Sequence, residues 1–377
     1  MEKSGTMSTI ELRRQNRNRV FRSLIDVEAP LTKQELAGRL SMSLPTLTQN
    51  LKELDAMGLI DASCTTDSTG GRKPRLIAVV PDARFAIGIE LSSGSIRMVA
   101  LDLKCNQLAF RQFVQPFDNS QQAAKDLAAR LEQFLDDNGL SRQQLLGVGI
   151  TVPGIVNADQ SVIEYAPTAQ IEKMSPAWVN RYIPYPTFLD NDATCGGFAE
   201  WWNHTGMENL AYLSLSRGIG GAILVNGSAY DGDHHRAAEF GHMCIHPGGR
   251  VCNCGKRGCL EAYCSATRLS DDLHISLEAF FAGLSAANPA YQNIWETYLD
   301  DLALAVSNIH TMLDCNVVIG GAFSQFLPDY QGELEKRLSR LNPFTDDGDY
   351  VHFSRYHDRS ICVGAALRYI ANFLAEV

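Results

Sequence analysis

The chain has 377 residues and a net charge of −10, which allows two or three domains with cores of their own and excludes a uniformly basic nucleic-acid coat. No window approaches eighteen uninterrupted apolar residues and no secretory leader opens the chain, so neither membrane insertion nor secretion is expected. Ten cysteines in a leaderless chain read as reduced thiols of a cytoplasmic protein, with clustered ones as metal ligands.

The charge is unevenly spread. Residues 1–80 hold 12 Lys and Arg against 9 Asp and Glu, a net of +3, which leaves −13 for the remainder. A mildly basic head on an acidic body suits a nucleic-acid-binding module joined to a sensor or an enzyme.

The head predicts three helices. Val20, Leu24 and Ile25 form an apolar stripe that stops before Pro30, and Thr32 with Glu35 makes a capping box for a short second helix with Leu36 and Leu40 inward. Ser43 then caps a third helix whose Leu44, Leu47, Leu51 and Leu54 give a core face. Its other face is expected to carry Thr46, Gln49, Asn50 and Lys52, side chains suited to base edges and phosphates. Two short helices on a tight turn are a helix-turn-helix. The strands "LIDAS" and "RLIAVV", flanking "TTDSTGGRKP", add a wing with Arg72 and Lys73 at its tip. Residues 1–80 therefore read as a winged helix-turn-helix that binds double-stranded operator DNA.

The body repeats one device. Residues 85–103 and 210–230 each read as an apolar hairpin around a turn of small residues, the second followed by an Asn226-Gly227 turn. "LLGVGITVPGIVN" is a buried strand ending at Pro153 and Gly154, and "TFLDNDATCGGFAEWW" is a strand ending at Asn191 and Asp192 before a helix. Polar groups at strand ends beside a cleft are where α/β folds bind ligands. The plan is that of a two-lobed, actin-like sugar kinase: lobe I over 81–190 joined by a C-terminal helix at 355–377, and lobe II over 191–354. "YQNIWETYLDDLALAVSNIHTML" reads as a core helix, and "FTDDGDY" (344–350) as an exposed loop.

Residues 210–263 resemble the signature region of the ROK family of repressors and sugar kinases, through "GIGG", Gly232, "EFGH" and "CNCGKRGCLE". The likeness extends to "GITVPGIVN", "DNDA", "VVIGGAFS" and "VGAALRYIANFL"; with the winged helix in front, the chain is similar to the xylose-repressor and N-acetylglucosamine-repressor branch. The resemblance implies a structural zinc on His242, Cys252, Cys254 and Cys259. One imidazole and three thiolates also make a closed tetrahedral donor set on chemical grounds. Gly255 and Gly258 permit the tight wrap, and Cys244 and Cys264 are left over as buried or idle thiols.

The resemblance further implies a sugar site of Asn191, Asp192, Glu239, His242 and Glu261, beside Pro153 and Gly154. In a kinase Asp192 would be the general base. The phosphate loops depart from the kinase pattern. The first, Asp-x-Gly-Gly-Thr in kinases, stands here as "ELSSG", with Glu90, Ser92 and Ser93; the second, Gly-Thr-Gly, is "SRG" with Arg217 in the middle. Added Cβ atoms obstruct the close backbone approach that phosphates need. The expected function is a sugar- or sugar-phosphate-responsive repressor without enzymatic activity, acting as a homodimer or homotetramer. The alternatives are an active ATP-dependent sugar kinase with a DNA-binding head, and a repressor controlled by a protein partner.

Overall fold

The computed structural model describes residues 8–63, 75–92, 94–115, 118, 120–156, 163–166, 171–174, 177–204, 206–345 and 347–377. The wing-tip residues Arg72 and Lys73, and Ser93 of the first hairpin turn, lie outside the described residues.

The head is built from α1 (Thr9–Ile25), β1 (Leu31–Thr32), α2 (Lys33–Leu40), α3 (Leu44–Ala56), β2 (Ile60–Asp61) and β3 (Leu76–Val79). The capping box at α2 is present: Thr32 Oγ1 accepts from Glu35 N at 3.3 Å, and Glu35 Oε2 accepts from Thr32 N at 2.7 Å. Ser43 caps α3 by accepting from Thr46 N at 3.3 Å. β3 pairs antiparallel with both β1 and β2, a three-stranded winged-helix sheet. One expectation fails at the start of α3, where Leu44 is 48% exposed. It occupies the first helical turn, ahead of the point where α3 meets α1, so the leucine face begins at Leu47.

Lobe I follows as β4 (Phe85–Leu91), β5 (Ser95–Asp102), β6 (Gln107–Val114), α4 (Gln121–Asp137), β7 (Leu145–Val152), β8 (Ile155–Val156), β9 (Ile163–Ala166), β10 (Ile171–Met174), α5 (Ala177–Asn180) and β11 (Thr187–Asn191). Its main sheet has the order β11-β7-β4-β5-β6, and β8 to β10 form a small sheet of their own. Alternation along β4 feeds two cores. Phe85, Ile87 and Ile89 pack with Leu127, Leu131 and Phe134 of α4. Ala86 faces the other way, toward the C-terminal helix.

Lobe II repeats the topology. α6 (Asp192–Asn203) leads into β12 (Asn209–Leu215), β13 (Ile219–Val225), β14 (Ser228–Ala229), α7 (Glu261–Cys264), α8 (Leu277–Ser285), α9 (Pro289–Leu313), β15 (Asn316–Gly320), α10 (Gln331–Leu341) and β16 (Val351–Phe353). The sheet order β14-β13-β12-β15-β16 matches that of lobe I, with two parallel strands added beside an antiparallel hairpin. The long α9 is a core helix that buries Trp295, Tyr298, Leu302 and Val306. In the 344–350 loop Phe344 is exposed as expected, but Tyr350 is buried and stacks on His310 with ring centroids 3.7 Å apart.

The last helix, α11 (Ser360–Glu376), is clasped between the lobes. A Cβ at Gly88 of β4 would stand 1.8 Å from the Cys362 carbonyl oxygen, and a Cβ at Gly364 would stand 1.8 Å from that of Cys195 in α6. Glycine is required at both points because backbone meets backbone there. The far end of α11 meets the head. Leu367, Ile370 and Leu374 share one apolar cluster with Val20, Phe21 and Leu24 of α1, and Arg17 and Arg22 donate to the carbonyls of Val377 and Leu374 at 3.2 and 3.4 Å. Among the described residues no helix is long and apolar enough to cross a membrane.

Candidate ligand cleft, metal cluster and DNA-facing helix

The cleft forms where β7 and β11, paired in parallel, end side by side at Val152 and Asn191. Asn191 N-caps α6: its Oδ1 accepts from Thr194 N at 3.0 Å, and its Nδ2 donates to the Gly154 carbonyl at 2.9 Å. Asn191 thus ties the Pro153-Gly154 turn to the helix, and one lone pair and one N–H of its amide remain for a ligand. Asp192 begins α6 and accepts from Ala193 N at 2.8 Å. Burial pushes its carboxyl up to about 6 against that backbone hydrogen bond, and Glu239 across the cleft adds to the rise.

Asn191, Asp192 and Glu239 line this cleft together with Thr194, Gly220, Gly221, Tyr230 and Asp231. Burial also raises the Glu239 carboxyl, opposed by His242 and reinforced by Glu261. His242 Nε2 lies 3.9 Å from Glu239 Oε2 while its Nδ1 lies 3.8 Å from Cys252 Sγ. One imidazole therefore joins the cleft to the cysteine cluster, each nitrogen facing one side. Glu261 is set one step further along: its Oε2 accepts from Ile219 N at 3.0 Å in the second hairpin, and its Oε1 is 3.8 Å from Cys252 Sγ.

The donor atoms of His242, Cys252, Cys254 and Cys259 all lie within 4.8 Å of one another. Sulfurs held at about 2.3 Å from a tetrahedral ion stand about 3.8 Å apart, and the Cys254 and Cys259 sulfurs are 3.8 Å apart. The loop is folded for this wrap. Gly255 N donates to the Cys252 carbonyl at 2.9 Å, and Gly255 and Gly258 have φ of 80° and 90°. The Lys256 backbone amide holds the Cys254 thiol below its usual range. The cluster can hold a metal ion, and three thiols with an imidazole fit a borderline-soft divalent cation. Of the leftover thiols, Cys264 is buried and Cys244 is exposed.

The first phosphate-loop position is closed by the protein's own groups. Ser92 Oγ donates to the Ser95 carbonyl at 2.9 Å and accepts from Ser95 N at 3.1 Å, which seals the first turn. Glu90 is buried at 3.3 Å from Arg97, which also donates to the Asp358 carbonyl at 2.9 Å. Arg217 points outward onto Asp271 at 2.5 Å. A Cβ at Gly320 would stand 2.4 Å from the Tyr212 hydroxyl, and one at Gly321 2.4 Å from the Leu215 carbonyl oxygen, so packing accounts for both glycines.

On α3, Thr46, Gln49 and Lys52 are exposed. Asn50 is a correction: it is 3% exposed and its Nδ2 donates to the Thr46 carbonyl at 2.8 Å. It sits at the edge of the buried arc that carries Leu47, Leu51 and Leu54, so it supports the helix from within and cannot reach a groove. Sequence reasoning also passed over the Asp190–Arg368 ion pair at 2.6 Å, which braces the strand under Asn191, and the His246–Asp301 pair at 2.6 Å, which ties the cysteine loop to α9. Alternation along β11 is the one available signal for Asp190, since it must face away from Asn191.

A model of the ROK family matches residues 86–369, and a winged helix-turn-helix DNA-binding model matches residues 14–61. The chain is 27% identical over 252 residues to the xylose repressor of Bacillus subtilis, an alignment covering 65% of this chain and 64% of the repressor. It is 34% identical over 245 residues to the N-acetyl-D-glucosamine kinase of Yersinia pseudotuberculosis, covering 59% of this chain and 80% of the kinase. Its fold matches the crystal structure of a ROK family transcriptional regulator described as a homolog of the E. coli MLC protein, with a TM-score of 0.77, 20% identity and 97% of each chain covered.

Proposed function

The chain belongs to the ROK family, and from that premise we propose that it is a transcriptional repressor of carbohydrate-utilisation genes whose grip on operator DNA is set by a sugar or sugar phosphate in the cleft. Residues 1–80 serve as the DNA-binding domain, with Thr46, Gln49 and Lys52 of α3, and Arg72 and Lys73 of the wing, contacting the duplex. Residues 81–190 with 355–377, and residues 191–354, are the two lobes. Asn191, Asp192, Glu239, His242 and Glu261, beside Pro153 and Gly154, bind the sugar. Carboxylates and amides suit a polyol because each makes paired hydrogen bonds, and a buried group left unmatched penalises the wrong sugar. A structural zinc on His242, Cys252, Cys254 and Cys259 holds the loop that carries His242. The protein works in the cytoplasm as a homodimer or homotetramer, because a two-fold pair of winged helices matches a palindromic operator.

The carrying observation is the contrast between the two halves of the cleft. The sugar-side groups keep open hydrogen-bonding positions, while Ser92 is spent on Ser95 and Glu90 on Arg97. The ligand acts by population shift: it favours one closure of the lobes over the other, and α11, clasped by both lobes and joined to α1, passes the difference to the head.

A second reading, an active sugar kinase, is favoured by one feature. A carboxyl raised to about 6 at Asp192 suits a general base working near neutrality. Thermal-shift assays against hexoses, pentoses, amino sugars and their phosphates, with and without magnesium ATP, separate the two. A ligand at a hundred times its Kd stabilises the fold by about 2.7 kcal/mol. Stabilisation by one sugar and not by ATP supports the repressor; stabilisation by ATP supports the kinase. Silence from every sugar contradicts both and favours control by a protein partner.

A further inference from the structure

The flank of α3 carries an ion cluster whose charged members lie outside the DNA-facing residues named so far. Glu53, one turn beyond Gln49 on α3, accepts from Arg13 Nε at 2.7 Å and pairs with Arg17 Nη1 at 2.9 Å. Gln49 Nε2 donates to the same carboxylate at 3.2 Å. One carboxylate thus faces two guanidiniums, so the cluster keeps a positive excess at the surface. Arg13 is 56% exposed, and Arg14 beside it is exposed with no ion pair among the described residues. Ile10, Arg13, Arg14 and Arg17 of α1 form a hollow with Glu53 and Met57 at the end of α3.

We propose that the first two turns of α1 are a second docking surface for the phosphate backbone of duplex DNA, with Arg13 and Arg14 as its cations, and that Glu53 is the internal counter-anion that a phosphate displaces from Arg13, while Arg17 stays on Glu53 and the Val377 carbonyl. The proposal rests on the reading of the head as a DNA-binding domain. The occupant follows from charge and position. Guanidinium groups bind phosphate oxygens through forked N–H pairs, and this group sits beside the helix that reads the groove. Gln49 shares the Glu53 carboxylate and remains its donor when Arg13 turns to a phosphate. Unbound, the cluster keeps three cationic or polar side chains in order; bound, it exchanges an internal ion pair for two arginine–phosphate pairs.

The test uses the full chain and a fluorescein-labelled mixed-sequence duplex, because phosphate binding is independent of sequence. Anisotropy titrations between 50 and 200 mM salt give the slope of log K against log[salt], which changes by about 0.9 for each phosphate that the protein neutralises. Arg13→Gln with Arg14→Gln flattens the slope by about that amount for each phosphate no longer neutralised, so the salt-induced loss of affinity shrinks about 3- to 4-fold per phosphate over this range. Glu53→Gln tightens binding at low salt and steepens the slope. Unchanged slopes in both variants, or weaker binding by Glu53→Gln at an unaltered slope and melting temperature, overturn the inference while leaving the DNA-binding domain in place. If Glu53→Gln does not fold, the arginine pair, exposed at the surface, decides alone. A wild-type protein that binds no duplex at any salt overturns the DNA-binding reading and the inference with it.

Discussion

Replacing Glu90 by Gln tests whether the first hairpin has been rebuilt as a closed internal network. Glu90 is 6% exposed, and burial pushes its carboxyl up to about 7 from 4.5; Arg97 opposes the rise while Asp192 and Asp358 add to it. The folded value is the higher one, so the neutral acid contributes fully below about pH 4.5, and that contribution is lost as the pH rises through about 7. Integrating the linkage between about pH 5 and about pH 8 gives a loss of about 2 to 3 kcal/mol in the wild type. Glu90→Gln has no proton to release and escapes that loss, and the titrating groups not coupled to Glu90 cancel in the difference between the two proteins. Urea denaturation across this range therefore shows the stability gap moving in favour of Glu90→Gln as the pH rises. Parallel curves would refute the reasoning and place Glu90 in contact with solvent or fully compensated by Arg97.

Gly364→Ala destabilises the fold by about 3 kcal/mol or more, read as a lower urea midpoint, because its Cβ would lie 1.8 Å from the Cys195 carbonyl oxygen and force α6 from α11. One zinc per chain is expected in the purified protein, measured by atomic absorption. Cys254→Ser or a strong chelator releases it, and metal affinity falls at acid pH as the thiolates protonate. Loss of the metal weakens sugar binding through His242 and Glu239 while the winged helix keeps its own helical signal. Glu261→Gln weakens sugar binding by isothermal calorimetry and also loosens the second hairpin, since its Oε2 holds Ile219 N.

What the sequence makes legible here is local. The capping box at Thr32 and Glu35, the Asn226-Gly227 turn and the spacing of Cys252, Cys254 and Cys259 each depend on neighbours a few residues apart, and each is found as expected. The errors on α3 are errors of arc: Asn50 falls at the edge of the buried leucine arc, and Leu44 precedes the packed segment. Pairings across the chain carry no local signature. Asp190 meets Arg368, and Arg97 meets Asp358, only because α11 returns to lobe I. His242 belongs by sequence to both the metal set and the sugar set, which spacing cannot order; the ring orientation accommodates both, with Nδ1 toward Cys252 and Nε2 toward Glu239.

Coupling between the cleft and the head is the central claim, and it is open to direct measurement. The sugar that stabilises the protein would be titrated into its DNA complex by anisotropy, on a duplex selected for tight binding, and the same sugar's affinity measured with and without that duplex. Linkage requires equal factors in the two directions, and coupling energies of about 1 to 3 kcal/mol correspond to about 5- to 150-fold. The predicted result is a reciprocal change of that size, abolished by Asp192→Asn. A sugar that binds the cleft yet leaves DNA affinity unaltered would contradict it.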